Sequence, residues 1–170
     1  VALTKPLTFD PIEEARRQWI EHGWGEAADG MAVVTSVMRA QQIYLARIDA
    51  VLRPFELTFS RFELLTLLSF TRAGALPLSK AGARLQVHPT SITNSVDRLE
   101  AQGLVRRLPH VTDRRTTLVE ILPAGRHVLD QVTVALNEQV FTTPGVSATD
   151  AGKMFVLLRN LRAAEGDFET

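Results

Sequence analysis

The stretch from Ser79 to Gly125 restricts the possible folds of this chain more than any other. Ser79-Lys-Ala-Gly-Ala-Arg-Leu-Gln-Val87 reads as a short helix, His88-Pro89 as a turn, and Thr90 to Gln102 as a second helix stopped by Gly103. Leu104-Val-Arg-Arg-Leu-Pro-His110 and Thr116-Thr-Leu-Val-Glu-Ile-Leu122 then read as two strands around the loop Val111-Thr-Asp-Arg-Arg115. The order helix, tight turn, helix, basic hairpin leaves few topologies open.

On its N-terminal side, Asp10-Pro11 opens a helix over 11–22 that ends near Gly23, and a long helix follows from Gly25 to Leu52. Val34, Val37, Met38, Tyr44, Leu45, Ile48 and Leu52 form a helical stripe, and a helix of this length suits an oligomer interface. Pro54 stops it. Ser60-Arg-Phe-Glu63 reads as a capping box for the next helix, with Phe62, Leu65, Leu67 and Leu68 facing the core, and Leu76-Pro-Leu78 can add a third strand to the hairpin. On the C-terminal side, Pro123 opens a helix carrying Val128, Leu129, Val132, Leu136 and Val140, which Thr143-Pro-Gly145 breaks. Ser147 with Asp150 caps a last helix through Met154, Leu157, Leu158 and Leu161, and the tail from Glu165 to Thr170 is expected to fray.

Composition excludes several functions. Without cysteine there is no disulfide framework, thiolate metal site or thiol switch. His22, His88, His110 and His127 lack metal-ligand spacing, so neither a metal nor a cofactor is expected. No GxSxG motif, phosphate loop or acid paired with a histidine marks an enzyme. There is no run of eighteen apolar residues and no basic-then-apolar start, which reads as a cytoplasmic chain. Nineteen basic and nineteen acidic residues balance overall, so charge has to be judged locally. From Arg84 to Arg126 seven arginines face four acids, whereas Asp10, Glu13, Glu14, Glu21, Glu26 and Asp29 make the N-terminal stretch acidic.

In the second helix of the central stretch, Ile92, Val96 and Leu99 share one face and must point inward. The opposite face then holds Thr90, Ser91, Thr93, Asn94 and Asp97. Short hydroxyls and an amide near a helix N-terminus suit a DNA groove, because Asn94 can pair with adenine and threonine methyls can touch thymine. His88 and Arg98 are placed to meet phosphates. Arg114 and Arg115 sit at the hairpin tip, where they can enter a minor groove or clamp phosphates, and Asp113 can hold a neighbouring arginine extended. The fold expected is mostly α with a small β-hairpin wing: a winged helix-turn-helix over 54–122, with dimerisation helices in 1–53 and 123–170.

Residues 26 to 163 resemble the MarR family of transcriptional regulators. The resemblance rests on Phe55-Glu-Leu-Thr-Phe-Ser-Arg-Phe-Glu-Leu-Leu65, on Ser91-Ile-Thr-Asn-Ser-Val-Asp-Arg-Leu-Glu-Ala-Gln-Gly-Leu-Val-Arg-Arg107, and on Asp113-Arg-Arg115 with Leu122 and Gly125. It implies a triangular homodimer on a pseudo-palindromic operator, with Arg115 in the minor groove supported by Asp113. It also implies a small aromatic or phenolic anionic effector. The Trp19-Ile-Glu-His-Gly-Trp24 segment is similar to the extra helix of the urate-responsive branch, which makes Trp19, Trp24, Tyr44, Glu63 and Arg107 candidate ligand contacts. Two positions depart from the pattern. Pro123 replaces a capping threonine, and Ser95 stands where that branch has an arginine, removing the cationic partner of an anionic ligand. The resulting expectation is a homodimeric, DNA-binding regulator, a repressor released by such a ligand. A constitutive regulator without a ligand, or a winged-helix interaction module that reads no DNA, are the alternatives.

Overall fold

The computed structural model describes residues 6–110 and 115–169. It is mostly helical with one small sheet, in the order α1 (Pro11–Glu21), α2 (Gly25–Leu52), a 3-10 turn (Arg53–Phe55), α3 (Phe59–Ser69), β1 (Ala75–Pro77), α4 (Leu78–Leu85), α5 (Pro89–Ala101), β2 (Val105–Pro109), β3 (Thr117–Ile121), α6 (Pro123–Leu136), a π-helical turn (Asn137–Phe141) and α7 (Ala148–Ala164). The sheet is antiparallel with β3 at its centre. Val105 lies opposite Ile121 and Leu108 opposite Leu118, and Leu76 of β1 lies opposite Val119.

One core holds the central lobe together. Leu64, Leu65 and Leu68 of α3, Val96 and Leu99 of α5, Val105 and Val119 of the sheet, and Val132 and Leu136 of α6 are fully buried, and Leu52 at the end of α2 joins them. Each such side chain contributes about 1.5–3 kcal/mol by leaving water. The outer helices behave differently. Along α2 only Ala28, Ile48, Val51 and Leu52 are buried, and α7 buries nothing.

Several local expectations are corrected. The cap of α3 is Thr58, not Ser60: its hydroxyl meets the Ser60 hydroxyl at 3.2 Å and accepts from Arg61 Nε at 3.2 Å, and Glu63 makes no capping bond. Leu78 opens α4 instead of ending β1, because Pro77 lacks the N–H needed to continue a ladder. Leu67 is half-buried and packs against the core as expected, and Leu64, which the sequence pattern leaves out, is fully buried beside it. The tail is not frayed over its described part. Gln86 Nε2 donates to the Asp167 carbonyl at 2.7 Å, and the Arg159 and Arg162 guanidinium carbons each lie 5.4 Å from the centre of the Phe168 ring. Ser147 caps α7 as its spacing predicts, accepting from Asp150 N at 3.1 Å. Pro123 occupies the first turn of α6, and the preceding Leu122 offers no side-chain cap.

Gly125 is the tightest joint between wing and α6. A Cβ there would overlap the Leu104 carbonyl oxygen, which is already held by Leu122 N at 3.0 Å, and would press on Ile121. The Leu104 carbonyl is backbone and cannot yield cheaply. Gly125→Ala is therefore expected to destabilise the fold by about 1–3 kcal/mol, measured as a lower midpoint in denaturant; an unchanged midpoint would show that α6 can slide away from the wing.

Candidate nucleic-acid interface

The candidate reading helix is α5. Ile92, Val96 and Leu99 are buried on its inner face, and Thr90, Ser91, Asn94, Asp97 and Arg98 are exposed on the other, with Thr93 and Ser95 partly covered. Thr93 turns its hydroxyl back to the Pro89 carbonyl at 2.9 Å, which leaves its methyl group as the outward contact. His88 caps the helix through Nδ1, which accepts from Thr90 N at 3.2 Å. Acceptance at Nδ1 puts the ring proton on Nε2, so an exposed N–H donor stands beside the helix N-terminus.

Helix α4 sets the angle of α5. Gln86 ends α4 in a left-handed conformation, and Val87 N bonds back to the Gly82 carbonyl at 3.1 Å. A Cβ built on Gly82 would just reach Ile92, so α5 packs within a methyl group's reach of α4 at this point.

A salt-bridge clamp ties the wing to the reading helix. Arg107 on β2 bonds Asp97 Oδ1 at 2.6 Å through Nη2, bonds Glu100 through Nη1, and donates its backbone N–H to Glu100 Oε1 at 2.9 Å. Burial works against the Arg107 charge, but the bonds to Asp97 and Glu100 outweigh it and raise its pKa. The Arg107 backbone and side-chain bonds hold the Glu100 carboxyl below its ordinary value. Asp97 thus sits on the outward face with its charge compensated, which removes the repulsion it would otherwise direct at a phosphate. Arg106 pairs similarly with Glu120. Arg84 and Arg98 are exposed and make no ion pair among the described residues. Arg115 is exposed at the base of the wing tip, whereas Asp113 and Arg114 lie outside the described residues.

No local sequence signal pairs Glu100 with Arg107, which the family resemblance instead assigns to a ligand. Only the β2 register brings an arginine across to carboxylates spaced one helical turn apart.

The expected ligand contacts are dispersed within one chain. Trp19 and Trp24 meet edge to face with centroids 5.3 Å apart. Tyr44 donates its hydroxyl to the Pro144 carbonyl at 2.7 Å, joining α2 to the segment after the π-helical turn. Glu63 faces a separate groove, and Arg107 is committed to the wing clamp. No group of three or more potential ligand side chains that could hold a metal occurs among the described residues. No described helix is long and apolar enough to cross a membrane.

A capped helix presented through a tight turn, with a clamped hairpin beside it, defines a winged helix-turn-helix protein. Residues 57–117 match the MarR family. Sco5413, a MarR family transcriptional regulator from Streptomyces coelicolor, is 47% identical, superposes with a TM-score of 0.76, and shares 84% of this chain and 99% of its own. The chain belongs to the MarR family. YhbI, an uncharacterized HTH-type transcriptional regulator of Bacillus subtilis (strain 168), is 28% identical over 51% of this chain and 55% of its own length, so the chain spans about half of that curated relative. Sco3205 from Streptomyces coelicolor, a MarR family regulator crystallised in complex with DNA, is 22% identical with a TM-score of 0.71 over 82% of this chain and 88% of that one, a likeness of fold.

The lowered Glu100 pKa makes the clamp pH-dependent. A carboxylate lowered in the folded state contributes stability above its unfolded value of 4.5, and that contribution is lost as pH falls through the folded value. Wild type should therefore melt higher than Glu100→Gln at neutral pH, with the gap closing as pH drops below 4.5. A gap that persisted in acid would assign the effect to packing instead of charge.

Proposed function

We propose that the chain is a homodimeric, sequence-specific operator-binding regulator, acting as a repressor that a small aromatic effector releases. The observation that carries this reading is the outward face of α5, whose polar groups are exposed while its opposite face is locked in the core. Thr90, Ser91, Thr93 and Asn94 read bases, His88 and Arg98 hold phosphates, and Arg114 and Arg115 reach the minor groove with Asp113 in support. The Arg107 clamp holds β2 against the reading helix.

The flanking helices, in 1–53 and 123–170, supply the dimer. Val33, Val34, Val37 and Met38 on α2 and Phe155, Val156, Leu157 and Leu161 on α7 are exposed in the single chain. Between the two helices runs an apolar trough of about 590 Å³. Apolar surface of this extent on helices with almost no buried residues suits a second copy of the chain. Two reading helices about a two-fold axis meet half-sites about 10 base pairs apart.

DNA binding and dimerisation are separately testable. Asn94→Ala should cost about 1–3 kcal/mol of discrimination at one base position. Arg98→Ala and Arg115→Ala should each lower the slope of log affinity against log salt by about one. A protein that only contacts other proteins would show neither effect in an operator titration. Val37→Glu combined with Leu157→Glu, both at exposed positions, should give a folded monomer in sedimentation and weaken operator binding; a dimer that survived would place the interface elsewhere.

A further inference from the structure

We propose that the segment after α7 straps the bend of the helix-turn-helix, and that Gln86 is the positioning residue through which it sets the angle between α4 and α5. The proposal rests on the operator-binding reading above and adds what fixes the separation of the half-sites. Gln86 ends α4 in the left-handed region, at φ 53° and ψ 40°. Among the described residues only Glu56 and Gln86 carry a side chain at a positive φ. Glycine meets such an angle without steric cost, so a glutamine there needs another reason, and its side chain gives one. Its Nε2 donates to the Asp167 carbonyl at 2.7 Å, across 81 positions of sequence.

The tail is built to present that carbonyl. Gly166, at φ 73°, reverses the chain at the end of α7, with its N–H on the Ala163 carbonyl at 3.1 Å and the Asp167 N–H on the Arg162 carbonyl at 3.0 Å. The Asp167 carboxylate meets Arg162 Nη1 at 3.4 Å. Phe168 is half-buried, and Arg159 and Arg162, neighbours on one helix face, both lie over its ring. The segment ahead of α7 is held too: Tyr44 donates to the Pro144 carbonyl at 2.7 Å, and Arg47 Nη2 donates to the Gln139 carbonyl at 2.9 Å and the Thr143 carbonyl at 2.7 Å. Helix α7, which buries none of its own side chains, is thus a bar of 17 residues, about 25 Å long, tied to α2 at one end and to α4 at the other.

Only Val87 and His88 separate Gln86 from α5. Val87 N returns to the Gly82 carbonyl and His88 caps α5, so the backbone angles of Gln86 set the direction in which α5 leaves. Turning them toward the ordinary helical region would pull Nε2 off Asp167. A bend fixed beforehand has less to order on binding. In a dimer it also fixes the distance between the two reading helices, and so selects half-sites of one separation.

The test breaks the contact from each side in the full chain. Gln86→Met keeps the length of the side chain and removes the donor, and Phe168→Ala unseats the tail without touching the reading lobe. The probes are a duplex recovered from random DNA by the wild-type chain and the same duplex with a base pair inserted at its centre. Each variant should lose about fivefold of the wild-type preference for the first duplex over the second, and the double variant should lose no more than either single one. Without DNA, hydrogen exchange at the Val87 and Thr90 amides should quicken about tenfold in both variants while the Leu68 amide keeps its rate. A tail that only adds stability would lower the melting temperature and both affinities together and leave their ratio intact, and an intact ratio or unaltered exchange overturns the proposal. Quickened exchange in a chain that recovers no duplex supports the strap and removes only the operator reading; a recovered duplex with ratio and exchange unaltered removes only the strap.

Discussion

Burial of Ile92, Val96 and Leu99 against α3 and the sheet is the constraint on which the rest of the molecule depends. Because those three side chains occupy one stripe of α5, the rotation of the helix about its own axis is set by the hydrophobic effect, and its polar face is left outward by geometry. The orientation of that polar face thus comes from the interior. No outward-facing group has to organise itself.

The wing takes its orientation from a different force. Arg107 couples β2 to α5 by a charged fork, and Gly125 lets α6 approach the start of the wing closely enough to brace it from behind. Apolar packing alone would hold the hairpin with little preference for its tilt, whereas paired guanidinium and carboxylate groups are directional. The acidic side chains on this face of α5 thus act as struts between helix and hairpin.

Most of the architecture was legible in the sequence because its elements carry strong local signals. Proline at the start of α1, α5 and α6, the four-then-three spacing of Ile92, Val96 and Leu99 in α5, and glycine after it all act within a few residues. The errors lie where the deciding contact is distant. Glu63 followed a serine at capping distance, but Pro54 and the turn around Glu56 shift the true cap to Thr58. The chain end looked polar and free, yet Gln86, far away in sequence, receives it. The ligand contacts drawn from family likeness were the least legible, because they depend on which arginine is already committed, and that is a property of strand register.

The seat of the tail has a practical and mechanical meaning. Gly166, at a positive backbone angle, turns the chain after α7 so that Asp167 lies against Gln86 and Phe168 nests under two arginines. Gln86 is the residue at which the helix-turn-helix bends. Whatever polypeptide follows Phe168 leaves from beside that bend, so a bulky fusion added there would lever directly on the angle between α4 and α5.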